Sequence, residues 1–133
     1  MEAPSRSILI VEDHSPTSAV FARMVRARGF RVVAASSLAE AREAAAQHDI
    51  GFLISDLGLA DGDGCELMQE LRARYGIRGA VISGYGSAAD LARSAEAGFI
   101  VHLVKPITAA ELEDVLKIAR RELERRPPHP GGG

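Results

Sequence analysis

The sequence predicts an α/β domain built on a doubly wound parallel sheet, and three observations carry that prediction. Five short apolar runs recur along the 133 residues: ILIV (8–11), RVVAA (31–35), GFLIS (51–55), AVIS (80–83) and VHLV (101–104). Each is nearly continuous rather than alternating, as expected of strands covered on both faces, which is the habit of parallel sheets. Stretches with helical spacing separate them, so five strands and five helices read as βα units with right-handed crossovers and helices on both sides of the sheet.

The first strand leads into a helix over 16–28, with Pro16 suited to the opening turn and Gly29 to the stop. Val20 and Met24 are expected on one apolar face of it, with Phe21 and Val25 beside them. After the second strand, Ser37 followed by Glu40 is a capping-box signal for a helix that carries Leu38, Ala41 and Ala45 inward. A third helix, over 63–75, offers Leu67, Met68 and Leu71 and ends at Gly76. The fourth, over 87–97, is alanine-rich, with Leu91 as its one large apolar anchor and Gly98 as its stop, so its packing should be the loosest. The fifth opens with a second capping box, Thr108 and Glu111. Its stripe of Leu112, Val115, Leu116, Ala119 and Leu123 is the strongest in the chain. Residues 1–6 read as an N-terminal extension and 7–124 as the single domain. Residues 125–133, containing PPHPGGG, read as a disordered tail.

Composition narrows the function classes. A chain of this length buries about two thirds of its unfolded surface, enough for a core without disulfides. Sixteen Lys and Arg against eighteen Asp and Glu leave a net charge of −2, so nothing global favours nucleic acid or an anionic membrane. Cys65 is the only cysteine, which excludes an intramolecular disulfide and any multi-cysteine metal site. No window approaches a membrane span, and MEAPSRS has no apolar signal core, so a cytoplasmic location is expected.

Ligands of open parallel sheets sit at the carboxyl ends of the strands. There the first run is followed by Glu12 and Asp13, the third ends at Asp56, the fourth at Ser83 and the fifth at Lys105. In the strand order 2-1-3-4-5 these residues converge on one rim. Three carboxylates repel one another unless a cation joins them, and an all-oxygen set suits Mg²⁺. Asp56 is then the best-placed nucleophile for attack on phosphorus, with Lys105 and Mg²⁺ to neutralise the transferred group and Ser83 to hydrogen-bond it. Pro106 would hold the turn that aims Lys105; sequence leaves the isomer of the Lys105–Pro106 bond open.

ILIVEDH, LISDLGLADGDG, VISGYG and HLVKP, in this order and spacing over residues 7 to about 122, resemble the receiver domain of two-component response regulators, a flavodoxin-like fold. The resemblance implies that Asp56 is phosphorylated by a histidine kinase or histidine phosphotransfer protein. It implies that Asp13 binds Mg²⁺ directly, Glu12 mostly through water, and the Gly58 backbone carbonyl as a further ligand. Lys105 would pair with the phosphoryl group while Ser83 moves toward it, and an effector would read the face of the fourth helix, fifth strand and fifth helix. Self-phosphorylation and self-dephosphorylation of Asp56 are implied, but no turnover of a separate substrate. SGYG and the AGF and HLVKP pairing look most like receivers fused to hybrid sensor histidine kinases.

Some positions depart from the family. Ala60 stands where many members have proline, so the loop after Asp56 is expected to be less rigid. His102 holds the place of the switch aromatic, where an imidazole adds a possible pH dependence, although it also reads as an ordinary strand residue. Gly58 and Tyr85 lie where the family tunes dephosphorylation. Cys65 reads either as a thiol activated near a helix start or as a small buried filler. Arg120, Arg121, Arg125 and Arg126 read as a solvated helix end. The alternative to a phosphoacceptor is a receiver-like binding module that is not phosphorylated; a phosphatase of related topology is disfavoured because Gly58 replaces the second aspartate of an Asp-x-Asp.

Overall fold

The computed structural model describes residues 6–84 and 86–125. In chain order the elements are β1 (Ser7–Val11), α1 (Ser15–Ala27), β2 (Arg31–Ala35), α2 (Leu38–Gln47) and β3 (Ile50–Asp56). Two short strands follow, β4 (Gly58–Leu59) and β5 (Gly62–Asp63), then α3 (Gly64–Tyr75), β6 (Arg78–Ser83), α4 (Ala88–Ala97), β7 (Phe99–Val104) and α5 (Ala109–Arg125). The main sheet is parallel in the order β2-β1-β3-β6-β7. That is the expected 2-1-3-4-5 arrangement with the hairpin strands β4 and β5 counted in. The hairpin itself was not anticipated, because two-residue strands leave no periodic signal.

The two-sided burial follows from strand alternation. Leu9 and Val11 of β1 and Leu53 of β3 point to one layer with Leu67, Met68 and Leu71 of α3. Ile8 and Ile10 of β1 and Phe52 and Ile54 of β3 point to the other, against Leu112, Val115, Leu116 and Leu123 of α5. Each such side chain contributes about 1.5–3 kcal/mol by leaving water. All seven residues of β3 are buried, so the strand carrying Asp56 is the most constrained in the fold.

The local start and stop signals work with some shifts. Thr108 Oγ1 accepts from the Glu111 amide at 3.1 Å, and Glu111 Oε1 accepts from the Thr108 amide at 2.9 Å, a reciprocal box. Ser37 Oγ caps the Glu40 amide, but Glu40 reaches back to Ser36 instead of Ser37. Asp61 accepts from the Leu38 and Ala39 amides, a second cap on α2 supplied from 22 or more residues away.

Four expectations are corrected. The outer strands β2 and β7 are only partly covered, because each has a neighbour on one side alone. Val20 is 55% exposed; α1 buries Val25, as expected, together with Ala22, so its covered face is centred on those two positions and leaves Val20 at its edge. Leu91 is 45% exposed, and α4 buries Ser94 and Ala97. Arg120 lies with its guanidinium 4.6 Å from the centre of the Phe30 ring, so it covers apolar surface rather than standing free in solvent. At the amino end, Arg6 is buried, with Nε 3.2 Å from Asp49 Oδ1 and Nη2 donating to the Ile50 carbonyl. Residues 1–5 and 126–133 lie outside the described residues, as does Tyr85.

Candidate functional site

The rim at the carboxyl ends of the strands brings together residues far apart in the chain. Glu12 follows β1, Asp56 ends β3, Ser83 ends β6 and Lys105 follows β7. Backbone pairing sets their heights: the Lys105 amide donates to the Ser83 carbonyl at 2.9 Å and the Leu57 amide to the Ile82 carbonyl at 2.9 Å. Gly64 lets α3 start directly against the end of β3, since a Cβ there would stand 2.3 Å from the Asp56 carbonyl oxygen. The Lys105–Pro106 bond is cis.

Lys105 Nζ lies 3.1 Å from Asp56 Oδ1 and 3.5 Å from Glu12 Oε1. Both carboxyls are 7% exposed, whereas Asp13 is exposed beside them. Burial pushes the Asp56 carboxyl up to about 7, and the adjacent Glu12 carboxyl adds to the rise against the pull of Lys105. Glu12 moves the other way. Burial acts to raise it, but its hydrogen bonds with Asp56 and the His14 amide, together with the Lys105 charge, hold it below its ordinary value. Burial works against the Lys105 charge too, yet the two carboxylates keep its ammonium above the usual lysine range. The two carboxyls therefore compete for a proton, and burial favours its retention on Asp56 over Glu12.

One carboxylate oxygen from each of Glu12, Asp13 and Asp56 falls within 4.8 Å of the others, the single such cluster among the described residues. The donors are all oxygen, and the upward push that Glu12 adds to the buried Asp56 carboxyl marks a crowding of negative charge that a dication would relieve. Both features fit Mg²⁺. Gly58 opens β4 on the rim of a hollow of about 320 Å³ that also meets Asp56, Ser83, Arg93 and Lys105. A side chain at Gly58 would enter open space, with nothing within 4 Å of a Cβ.

His102 is half-buried, with Nε2 2.8 Å from Ser83 Oγ and Nδ1 3.2 Å from Ser94 Oγ. The loop after Asp56 is fastened despite Ala60: Gly64 donates to the Leu57 carbonyl, Asp61 holds α2, and Asp63 pairs with Arg93 of α4 at 2.5 Å. Sequence reasoning did not single out Asp61, Asp63, Arg93 or Ser94. Burial pushes the Cys65 thiol up to about 11, which removes the activated-thiol reading and leaves a buried filler.

Beside the acidic site, a larger and mainly apolar cavity of about 550 Å³ lies between α1 and the segment after β7. Pro16, Val20, Phe21, Met24 and Ile107 line it, and it reaches Asp56 and Lys105.

The family profile described as the response regulator receiver domain matches residues 8–117. The chain is 34% identical over 114 residues to the acid tolerance regulatory protein ActR of Rhizobium meliloti (strain 1021), covering 85% of this chain and 57% of ActR. It is 32% identical over 126 residues to the photosynthetic apparatus regulatory protein RegA of Cereibacter sphaeroides, covering 94% of this chain and 68% of RegA. The chain thus spans from a little over half to about two thirds of these relatives. In fold it superposes on a CheY-like receiver domain protein from Methanospirillum hungatei JF-1 with a TM-score of 0.81 at 24% identity, over 90% of this chain and 97% of that one. The chemotaxis response regulator CheY4 of Vibrio cholerae gives 0.79 at 20% identity, over 90% and 99%. Matched over most of its length by the family profile, the chain belongs to the response regulator receiver domains, the signalling modules of two-component systems.

Proposed function

We propose that residues 7–124 act as a cytoplasmic phosphorylation switch in which Asp56 accepts a phosphoryl group from a phosphohistidine on a histidine kinase or histidine phosphotransfer protein. The observation that carries this reading is the Lys105 ammonium 3.1 Å from a buried carboxyl at the tip of the central strand. An Asp56 oxygen attacks phosphorus in line, the P–N bond breaks, and its electron pair returns to the donor imidazole. Lys105 holds an oxygen of the transferred group, and Ser83 donates a hydrogen bond to another. Glu12, Asp13 and Asp56, with the Gly58 carbonyl, would hold Mg²⁺. When bound, Mg²⁺ supplies the positive charge that keeps Asp56 ionised and neutralises the phosphoryl oxygens. The acyl phosphate carries about 1.5–2 negative charges, by analogy with other phosphoresidues, where the ionised carboxylate carried one. The site acts on its own aspartate and turns over no separate substrate.

The apolar cavity beside α1 suits the donor's histidine-bearing helix, because it opens onto Asp56 and leaves Val20 accessible. Val20→Asp is expected to slow transfer from a phosphorylated protein donor by at least about tenfold, from loss of apolar contact at the centre of an interface. Uptake from acetyl phosphate and the melting temperature should not change, and equal slowing with both donors would count against docking there. On the other side, Leu91, Ile100 and Val104 present apolar surface on α4 and β7, and with α5 they form the face we assign to an effector. Among the described residues no helix is long and apolar enough to cross a membrane.

The reading is tested by intact-protein mass spectrometry after incubation with acetyl phosphate, with and without Mg²⁺. A Mg²⁺-dependent gain of one phosphoryl group in the wild type, absent from Asp56→Asn, is expected. Gain by the variant would move the acceptor elsewhere. No gain in the wild type, joined with no Mg²⁺ binding, would favour a receiver-like module that is not phosphorylated.

A further inference from the structure

Helix α4 is short of apolar anchors, since it buries only Ser94 and Ala97. One of its polar links runs to the site: Ser94 meets His102 Nδ1 at 3.2 Å, and His102 Nε2 meets Ser83 Oγ at 2.8 Å. The far end of this series sets its polarity. Ser94 donates its single hydroxyl hydrogen to the Leu91 carbonyl at 3.0 Å, a partner that can only accept. Ser94 therefore meets the imidazole as an acceptor, and Nδ1 carries the ring hydrogen. In the neutral ring Nε2 is then a lone pair, and the Ser83 hydroxyl donates to it.

We propose that His102, oriented by Ser94, is a positioning residue that restrains phosphorylation by engaging the hydroxyl hydrogen of Ser83 that a phosphoryl oxygen on Asp56 needs. The proposal rests on the reading of Asp56 as phosphoacceptor and adds a competitor to it. Phosphoryl oxygens accept hydrogen bonds and do not donate them, so Ser83 can serve one of them only when its hydrogen leaves Nε2. The two bonds exclude each other. When Ser83 turns to the phosphoryl group, the imidazole loses one of the two partners that hold it against α4. Release of Ser94 and engagement of Ser83 are thereby coupled, and the coupling is reciprocal: whatever fixes Ser94 and His102 weakens the phosphorylated state. A phenyl ring at this position would fill the same space without competing.

Two measurements test this. In the metal-free, unphosphorylated protein at pH 8, long-range ¹H–¹⁵N correlation spectra of the imidazole should show His102 protonated on Nδ1. An Nε2–H tautomer would overturn the proposal, whatever Asp56 does. The second is titration with beryllium fluoride and Mg²⁺, a phosphoryl mimic, of the wild type, His102→Phe, His102→Gln and Ser94→Ala. His102→Phe is expected to bind about fivefold more tightly, the value of one competing hydrogen bond. Ser94→Ala should move in the same direction, because without its acceptor the ring can turn its hydrogen to Nε2 and free Ser83. His102→Gln, whose amide can both accept from Ser83 and donate to Ser94, should return to near the wild-type affinity. Unchanged affinity in His102→Phe, or Gln behaving as Phe does, would refute the competition while leaving the phosphoacceptor reading intact. Failure of the wild type to bind the mimic at all would remove that reading and this proposal with it.

Discussion

Replacing Asp56 by asparagine is expected to raise the melting temperature of the metal-free protein by about 5–10 °C at pH 8 while abolishing phosphoryl uptake. The folded protein pushes this carboxyl from an ordinary 3.8 up to about 7, chiefly by burial and next by Glu12. A carboxyl that holds its proton more tightly when folded favours the fold while it is protonated. Stability is therefore lost as pH rises from about 4 to about 7, and above that the loss is complete. A shift of this size corresponds to about 4 kcal/mol. The pull of Lys105 is already contained in that shift, and asparagine replaces a protonated carboxyl imperfectly beside Glu12 and Lys105, so a net gain of about 2 kcal/mol is expected. The gain should shrink toward pH 4, where the wild type is neutral at this position. Calorimetric melting in a chelator at pH 4, 6 and 8 would check it; a variant no more stable than the wild type at pH 8 would show that the acidic cluster carries no such strain. Added Mg²⁺ should raise the wild type far more than the variant. The site would then be built at the expense of the metal-free fold, a cost located in Glu12 and Asp56 themselves.

How far the sequence anticipates this site depends on whether the cause is local. Strand ends are local. A continuous apolar run followed by Asp56, Ser83 or Lys105 states where the strand stops and which group stands there, and the structure gathers those groups on one rim. The α5 stripe is legible for the same reason, since a long amphipathic helix on a flat sheet has one way to lie, and Leu112, Val115, Leu116, Ala119 and Leu123 are all buried. Periodicity is weaker on α1 and α4. It finds an apolar side but does not say which edge of that side the sheet covers, so Val20 and Leu91 were placed inside although both stand exposed. Contacts between distant segments leave no spacing to read. The Asp61 cap on α2 bridges 22 and 23 residues and the Asp63–Arg93 pair bridges 30. Both acids follow Ala60 and tie its loop to α2 and α4. Ser94 had one faint signal, a hydroxyl among alanines on a helix with little else to bury. Its link to His102 appeared only with the fold.

Lys105→Met is expected to move two properties of the site in opposite directions, tightening Mg²⁺ by about tenfold and slowing phosphoryl uptake by about 10²–10³. Its ammonium lies 3.1 Å from Asp56 and 3.5 Å from Glu12, two of the three carboxyls that would hold the metal. In the metal-free protein it is the one cation in contact with them among the described residues, and a dication entering the same field meets its repulsion. Methionine keeps the length and apolar stem of the side chain and removes only the charge, so Mg²⁺ should bind more tightly. Phosphoryl transfer asks for more than metal, because the charge that develops on the transferred oxygens needs a fixed donor already aimed at them. Losing one such donor costs about 10²–10³ in rate at comparable sites. Calorimetric Mg²⁺ titration and the rate of mass gain from acetyl phosphate, measured at saturating Mg²⁺ for each protein, separate the two effects. Weaker Mg²⁺ binding in the variant would mean that Lys105 organises the carboxylates more than it opposes the ion. An unchanged rate would mean that its ammonium never meets the phosphoryl group. The expected pair of results, tighter metal with slower chemistry, requires one lysine to neutralise the resting site and then serve the transferred group, which is the role its place at the carboxyl end of β7, beside Asp56, allows.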